Sequence, residues 1–268
     1  MALEILHPDY PRGPFRAAIF DFDGTLSLLR RNWQDVMIPM MVDVLAETGT
    51  SESRESLAGH VEEFVMRLNG KQTIYQMMRL AEEVSARGGS PREPLAYKHQ
   101  YHDLLWREVG ERVESVRSER MPAEEFTVPG AREFLTSLQD AGLTLYLASG
   151  TDLNYVRDEL EVLGLDEFFG PRVYGALDDY RKFSKAMIVE QIIRDTHVRG
   201  TELLGVGDGY VEIEEVKRVG GLALGVASNE ATRVGINAWK RNRLATAGAD
   251  VIIGDYSALS ELRTLLGI

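Results

Sequence analysis

The sequence has no cysteine, so neither a disulfide framework nor a thiolate metal site is available to it. It also lacks any stretch approaching the roughly 20 consecutive apolar residues that span a bilayer, which argues against a membrane protein. Positive charge is scarce. Lysine and arginine total 30 against 42 aspartates and glutamates, a formal net charge of -12, and such a chain repels nucleic acid and anionic membranes. The first residues, MALEILHPDYPRGPFR, do not show the basic region followed by an apolar run of a secretory leader, so the cytoplasm is the expected location. What is present is ordinary for a globular protein: 268 residues, 44% hydrophobic and 27% charged. That length predicts one core domain with a smaller second unit.

Hydrophobic periodicity divides the chain. RAAIF, from Arg16 to Phe20, is a short apolar run of the kind that forms a strand buried on both faces, and it stops at DFDGT. From Leu28 to about Arg120 the periodicity turns helical. Helices are predicted over about 32–47, 52–68, 73–86 and 95–119, with stops at Thr48-Gly49, Asn69-Gly70 and Gly88-Gly89. Trp33, Val36, Met37, Met40, Met41 and Val44 form an apolar stripe on the first of these and read as core. After Val128-Pro129-Gly130 the pattern alternates: a helix over 131–140, then strands at LTLYLAS (143–149), RVYG near 172, ELLGVGD (202–208), GLALGVAS from Gly221 and DVIIGD from Asp250. Alternating strands and helices predict an α/β fold, a Rossmann-like parallel sheet covered on both faces, with an all-α block inserted after the first strand. The expected division is a core of residues 1–26 and 127–268 and a helical insert of 27–126.

Ligands of open parallel sheets bind beyond the carboxyl ends of the strands. Those ends carry Asp21-Phe22-Asp23-Gly24-Thr25, Ser149-Gly150-Thr151 and Gly207-Asp208-Gly209. Two aspartates at i and i+2 point the same way in extended chain, and such close like charges require a cation or a shared proton. Mg²⁺ suits them, because it is a hard ion satisfied by one or two carboxylates, waters and substrate phosphate. Asp21, Asp23 and Asp208 are therefore the expected metal residues. An ionised Asp21 can attack phosphorus, and Asp23 can protonate the leaving oxygen and then deprotonate a water. Ser149 is expected to donate to a phosphate oxygen. Backbone N–H groups around Phe22, Asp23 and Gly150 would line the same anion site, with Gly24 allowing a sharp turn, so Phe22, Gly24, Thr25 and Gly150 are expected to bind substrate. A lysine should complete it. Lys182 and Lys185 are the candidates in RKFSKAMIVEQII, and Lys185 is preferred because it opens a helical pattern with Ile188 and Ile192.

These motifs, DFDGT at 21–25, LASGT at 147–151, the lysine at 185 and GDGYVE at 207–212, together resemble the haloacid dehalogenase-like (HAD) hydrolase superfamily. The resemblance covers the core, and four ordered motifs are far more specific than one. It implies Asp21 as nucleophile and metal ligand, Asp23 as general acid/base with its main-chain carbonyl on the metal, Ser149 on phosphate, Lys185 stabilising the intermediate and Asp208 holding Mg²⁺. The interval from Lys185 to Asp208 looks like that of phosphoserine-phosphatase-like members, and the insert looks like a C1-type cap. One departure is Glu212, where the family often has an aspartate; it would act through water or by bonding Ser149 or Lys185. Asp23 argues against dehalogenation, which has no ester oxygen to protonate.

Other candidates have plainer readings. His99 and His102, at i and i+3 with no third ligand, read as surface, and Lys240-Arg241-Asn242-Arg243 reads as a solvated helix face. In the turn Asn69-Gly70-Lys71-Gln72-Thr73, or just after the first motif at Arg30-Arg31, Lys71 or Arg31 is expected to reach a polar substrate beneath the lid. The expected activity is Mg²⁺-dependent hydrolysis of a phosphate monoester of a small metabolite, such as a sugar phosphate or a phosphoglycolate-like acid, through an aspartyl-phosphate. The alternatives are a phosphomutase of the β-phosphoglucomutase type and a non-catalytic metabolite-binding protein on the same fold.

Overall fold

The computed structural model describes residues 3–268. In chain order the elements are β1 (Leu3–Ile5), β2 (Ala17–Phe20), α1 (Gln34–Ala46), α2 (Arg54–Leu68), α3 (Thr73–Ala86), α4 (Pro94–Arg117), α5 (Ala131–Asp140), β3 (Thr144–Asp152), α6 (Leu153–Val162) and α7 (Asp166–Phe169). They continue with β4 (Val173–Ala176), α8 (Lys185–Thr196), β5 (Leu203–Gly207), α9 (Tyr210–Arg218), β6 (Leu222–Val226), α10 (Ala238–Thr246), β7 (Val251–Ile253) and α11 (Leu259–Leu266). The strands form one sheet in the order β1-β7-β6-β5-β2-β3-β4. All neighbours are parallel except β1, which pairs antiparallel with β7 at the edge.

Alternation along β2 explains both faces. Ala18 and Phe20 join one apolar cluster, and Ala17 and Ile19 join another. A strand whose side chains alternate across the sheet needs cover on both sides, which is why it reads as an unbroken apolar run. Phe20 meets Phe134 of α5 and Phe169 of α7 edge to ring on the first face, and Ile188 of α8, Ile213 of α9 and Leu244 of α10 fill the second. The central strands β5 and β2 thereby deliver their carboxyl ends, Gly207-Asp208 and Phe20-Asp21, side by side.

Helices α1 to α4 lie between β2 and β3 in the chain and form the cap. Leu45, Leu57, Val61, Leu80 and Leu105 are buried among them. Ser53 caps α2, its hydroxyl accepting from the Ser56 amide at 3.2 Å, and Pro94 sits in the first turn of α4, where its missing N–H costs no helical bond. Pro39 lies inside α1, a position the apolar stripe did not reveal. The crossing from core to cap is held by Arg112 of α4, which donates to the carbonyls of Leu29 and Arg31 at 2.6 and 3.1 Å. Among the described residues no helix is long and apolar enough to cross a membrane.

Candidate active site

A cleft between the strand ends and the cap, with a cavity volume of about 90 Å³, is lined by Asp21, Asp23, Gly24, Ser149, Gly150, Lys185 and Asp208 from the core and by Lys71 from the cap. The parallel register of β2, β3 and β5 puts these residues on one edge. The Lys185 ammonium, at the start of α8, lies 2.9 Å from Asp21 Oδ1 and 2.8 Å from Glu212 Oε2. Lys182 is exposed and pairs with Asp179 instead.

Burial pushes the Asp21 carboxyl well above its usual range, against the pull of Lys185. Burial also weighs against the Lys185 ammonium, but Asp21 and Glu212 outweigh it and hold the charge more firmly than in free lysine. Glu212 has both oxygens engaged, Oε2 by Lys185 and Oε1 by the Gly209 amide at 2.5 Å. Of the roles open to it, the structure therefore places it against Lys185.

Asp23 stands in its own setting. Its Oδ2 accepts from Thr151 Oγ1 at 2.8 Å and, more weakly, from Ser149 Oγ at 3.4 Å, while its Oδ1 is 3.8 Å from Arg30 Nε. Burial raises its carboxyl, opposed by Arg30 and the Thr151 bond. Thr151 is two residues beyond Ser149 at the end of β3, where the register against β4 shifts, and both hydroxyls reach the same Asp23 oxygen. That spacing was the available signal for Thr151, whose part in holding Asp23 the motif alone did not disclose.

The site fits a divalent cation. Ligand atoms of Asp21, Asp208 and Glu212 lie within 4.8 Å of one another; Glu212 has both oxygens engaged, by Lys185 and the Gly209 amide, whereas Asp21 meets Lys185 through Oδ1 alone, so Asp21 and Asp208 keep an oxygen each for an ion. Gly24, at φ 75°, makes this possible: a Cβ there would stand 2.3 Å from Asp208 Oδ2. Gly150 plays a similar part for the cap, because a Cβ would come within 2.9 Å of the Lys71 carbonyl.

Several expectations need correction. Phe22 and Thr25 are wholly buried and do not line the cleft, so only their backbone could face an anion. Arg31 turns away, its guanidinium 5.8 Å from the centre of the Phe126 ring, and it is Arg30 that faces Asp23. Arg30 is held there by a bidentate pair with Glu159, Nε–Oε2 3.2 Å and Nη2–Oε1 2.6 Å. His99 is exposed as expected, but His102 is buried with Nδ1 3.2 Å from Asp152 Oδ2, because α4 packs against the start of α6. The run 240–243 is not simply solvated: Lys240 is buried against Asp208, and Arg243 donates to the carbonyls of Met66, Arg67 and Asn69 at the end of α2.

Comparison with known proteins places this geometry. A family model for haloacid dehalogenase-like hydrolases matches residues 15–220. The chain belongs to the haloacid dehalogenase-like hydrolases. A phosphoserine phosphatase of Archaeoglobus fulgidus is 35% identical over 112 residues, 37% of this chain and 31% of that protein. The match thus spans about a third of that relative's length. Solved structures share the fold: a predicted phosphoglycolate phosphatase from Haemophilus somnus (TM-score 0.60, 17% identity, 92% of this chain and 97% of that one) and a β-phosphoglucomutase from Clostridium difficile (TM-score 0.60, 13% identity, 94% and 97%).

Proposed function

We propose that this HAD-like hydrolase is a Mg²⁺-dependent phosphatase acting on a phosphate monoester of a small metabolite, a sugar phosphate or a phosphoglycolate-like acid. The observation that carries the reading is the meeting of Asp21, Lys185 and Asp208 at one sheet edge with Asp23 held apart on Thr151. A nucleophile and a general acid in distinct environments are what a two-step phosphoryl transfer needs. The phosphatase relative supports the reaction class over its matched part, and the small volume of the cleft supports a small substrate.

Asp21 and Asp208 would hold the ion with the Asp23 carbonyl, and a bound Mg²⁺ would neutralise phosphate oxygens and lower repulsion between anionic groups. Asp21 attacks phosphorus as the bond to the leaving oxygen breaks, forming an aspartyl-phosphate. Asp23 gives its proton to that oxygen, and the raised carboxyl favours the donating form. Lys185 balances charge on Asp21 and on the phosphoryl oxygens, while Ser149 and the Gly150 amide bind the phosphoryl group. Asp23 then takes a proton from water, which attacks phosphorus and frees Asp21. Residues 27–126 would act as a lid that excludes bulk water, with Lys71 contacting the rest of the substrate.

A panel of phosphorylated metabolites with Mg²⁺ tests this. The wild-type protein should release inorganic phosphate and Asp21→Asn should not. Transfer of the phosphoryl group to another sugar hydroxyl without release would instead indicate a mutase, and no turnover of any ester would overturn the enzymatic reading.

A further inference from the structure

Lys240 is a buried lysine that the chemistry above does not use. It sits in the first turn of α10, where the Asn237 side chain caps the helix by accepting from its amide at 3.0 Å. Its ammonium donates to Asp208 Oδ2 at 2.7 Å, to Glu230 Oε1 at 2.6 Å and to Ser228 Oγ at 3.1 Å. Ser228 in turn donates to the Gly24 carbonyl at 2.6 Å. All three donors of the ammonium are thus used, and the network ties the loop before α10 to both the Asp208 carboxylate and the turn of the first motif.

A cation beside a cation site is unexpected on electrostatic grounds alone. Asp21, Asp208 and Glu212 carry three formal negative charges against the single positive charge of Lys185. Lys240 by itself would reduce that surplus from two to one and weaken attraction for a divalent ion. Glu230, 2.6 Å away, restores it. The pair is therefore neutral in sum, and what it adds is direction. One oxygen of Asp208 is pinned on Lys240, and among the described residues the other makes no hydrogen bond. Carboxylates that hold metals are commonly fixed in this manner by a further hydrogen bond, and losing such a bond typically costs metal affinity.

We propose that Lys240 is a positioning residue for the divalent-cation site, fixing the Asp208 carboxylate through one oxygen, and that Glu230 is the counter-charge that lets it do so. This inference rests on the metal-dependent reading given above. It assigns a task to α10 and to the loop 227–237, both outside the four motifs.

The test is direct binding of Mg²⁺ to the full-length protein without substrate, followed by titration calorimetry, alongside thermal melts. The double variant Lys240→Met/Glu230→Gln is neutral like the wild-type pair, so it isolates positioning. Its Mg²⁺ dissociation constant should rise by about 10-fold to 100-fold. The single variant Glu230→Gln keeps the ammonium and removes its counter-charge. It should weaken binding about 3-fold to 10-fold, and it decides the matter if the double variant does not fold. Unchanged or tighter binding by the double variant would overturn the inference, since Lys240 would then be a space-filling cation or a competitor for the ion. Unchanged binding by Glu230→Gln would overturn the counter-charge. Failure of the wild-type protein itself to bind Mg²⁺ would overturn the metal-dependent reading and this inference with it.

Discussion

Arg30 and Glu159, 129 residues apart in the chain, meet in a bidentate ion pair in which Glu159 is fully buried, and the same guanidinium lies 3.8 Å from Asp23 Oδ1. The pair joins the segment entering the cap to α6 of the core. It also aims a positive charge at the residue proposed to protonate the leaving group. Removing one partner of a buried pair strands the other charge, so Glu159→Gln should cost about 3–5 kcal/mol in urea unfolding. Arg30→Met/Glu159→Leu, which removes both charges, should regain most of that stability. Phosphate release should nonetheless stay low in the double variant, because Asp23 has lost the group that faces its Oδ1. Full activity there would show that Arg30 serves the fold alone.

Asp23→Asn separates the acid from the nucleophile. Esters with poor leaving groups, such as alkyl phosphates, should lose about 10²–10⁴ in turnover. An aryl phosphate whose leaving group needs no proton should retain much more of its first step, visible as a burst of aryl alcohol. Equal losses on both substrate types would remove Asp23 from that role.

The motifs were legible because they combine an apolar run buried on both faces with a polar strand end, and parallel sheets offer little else at those ends. β1 was not legible. Its three residues, Leu3–Ile5, are half-buried or exposed at an edge, so no apolar run marks them. Lys240 was hidden for a different reason. A run of Lys-Arg-Asn-Arg looks solvated by composition, whereas the helix turns Lys240 and Arg243, three residues apart, toward the core and the cap. Arg30 and Arg31 are equivalent as letters, and only the path of the segment decides that the first meets Asp23.

Acid stability should depend on His102. Burial, with Arg30 and Lys98 nearby, lowers its ring to about 3, against 6.5 for an ordinary histidine. Asp152, held by Lys98, has its Oδ2 3.2 Å from the ring Nδ1, and Tyr155 packs edge-on against the ring. Above pH 6.5 the ring is neutral folded or unfolded, and its contribution to stability is complete. As pH falls from 6.5 toward 3 only the unfolded chain takes up the proton, so stability declines across that window, by an amount on the order of a few kcal/mol. His102→Asn should flatten this decline in unfolding curves measured at successive pH values. An unchanged slope would place the proton uptake elsewhere.

Lys71 lines the cleft and Arg31 does not, so the two should part company. Lys71→Ala should raise KM on the physiological ester about 10-fold, as expected for a lost charged hydrogen bond, and leave a generic aryl phosphate nearly unaffected. Arg31→Ala should change neither. If Lys71→Ala affects both substrates alike, its contact is with the phosphoryl group or the fold, not with the rest of the substrate.

Asp21 as the nucleophile is tested most directly by trapping. Wild-type protein given a phosphate ester with Mg²⁺ is quenched in acid during turnover, reduced with tritiated borohydride and digested with trypsin. An acyl phosphate on aspartate is reduced to homoserine, so the peptide Ala17–Arg30 should carry that change at position 21, with residue 23 intact. Asp21→Asn should carry no label. Phosphate release without any modification at Asp21, or modification at Asp23 instead, would contradict the account.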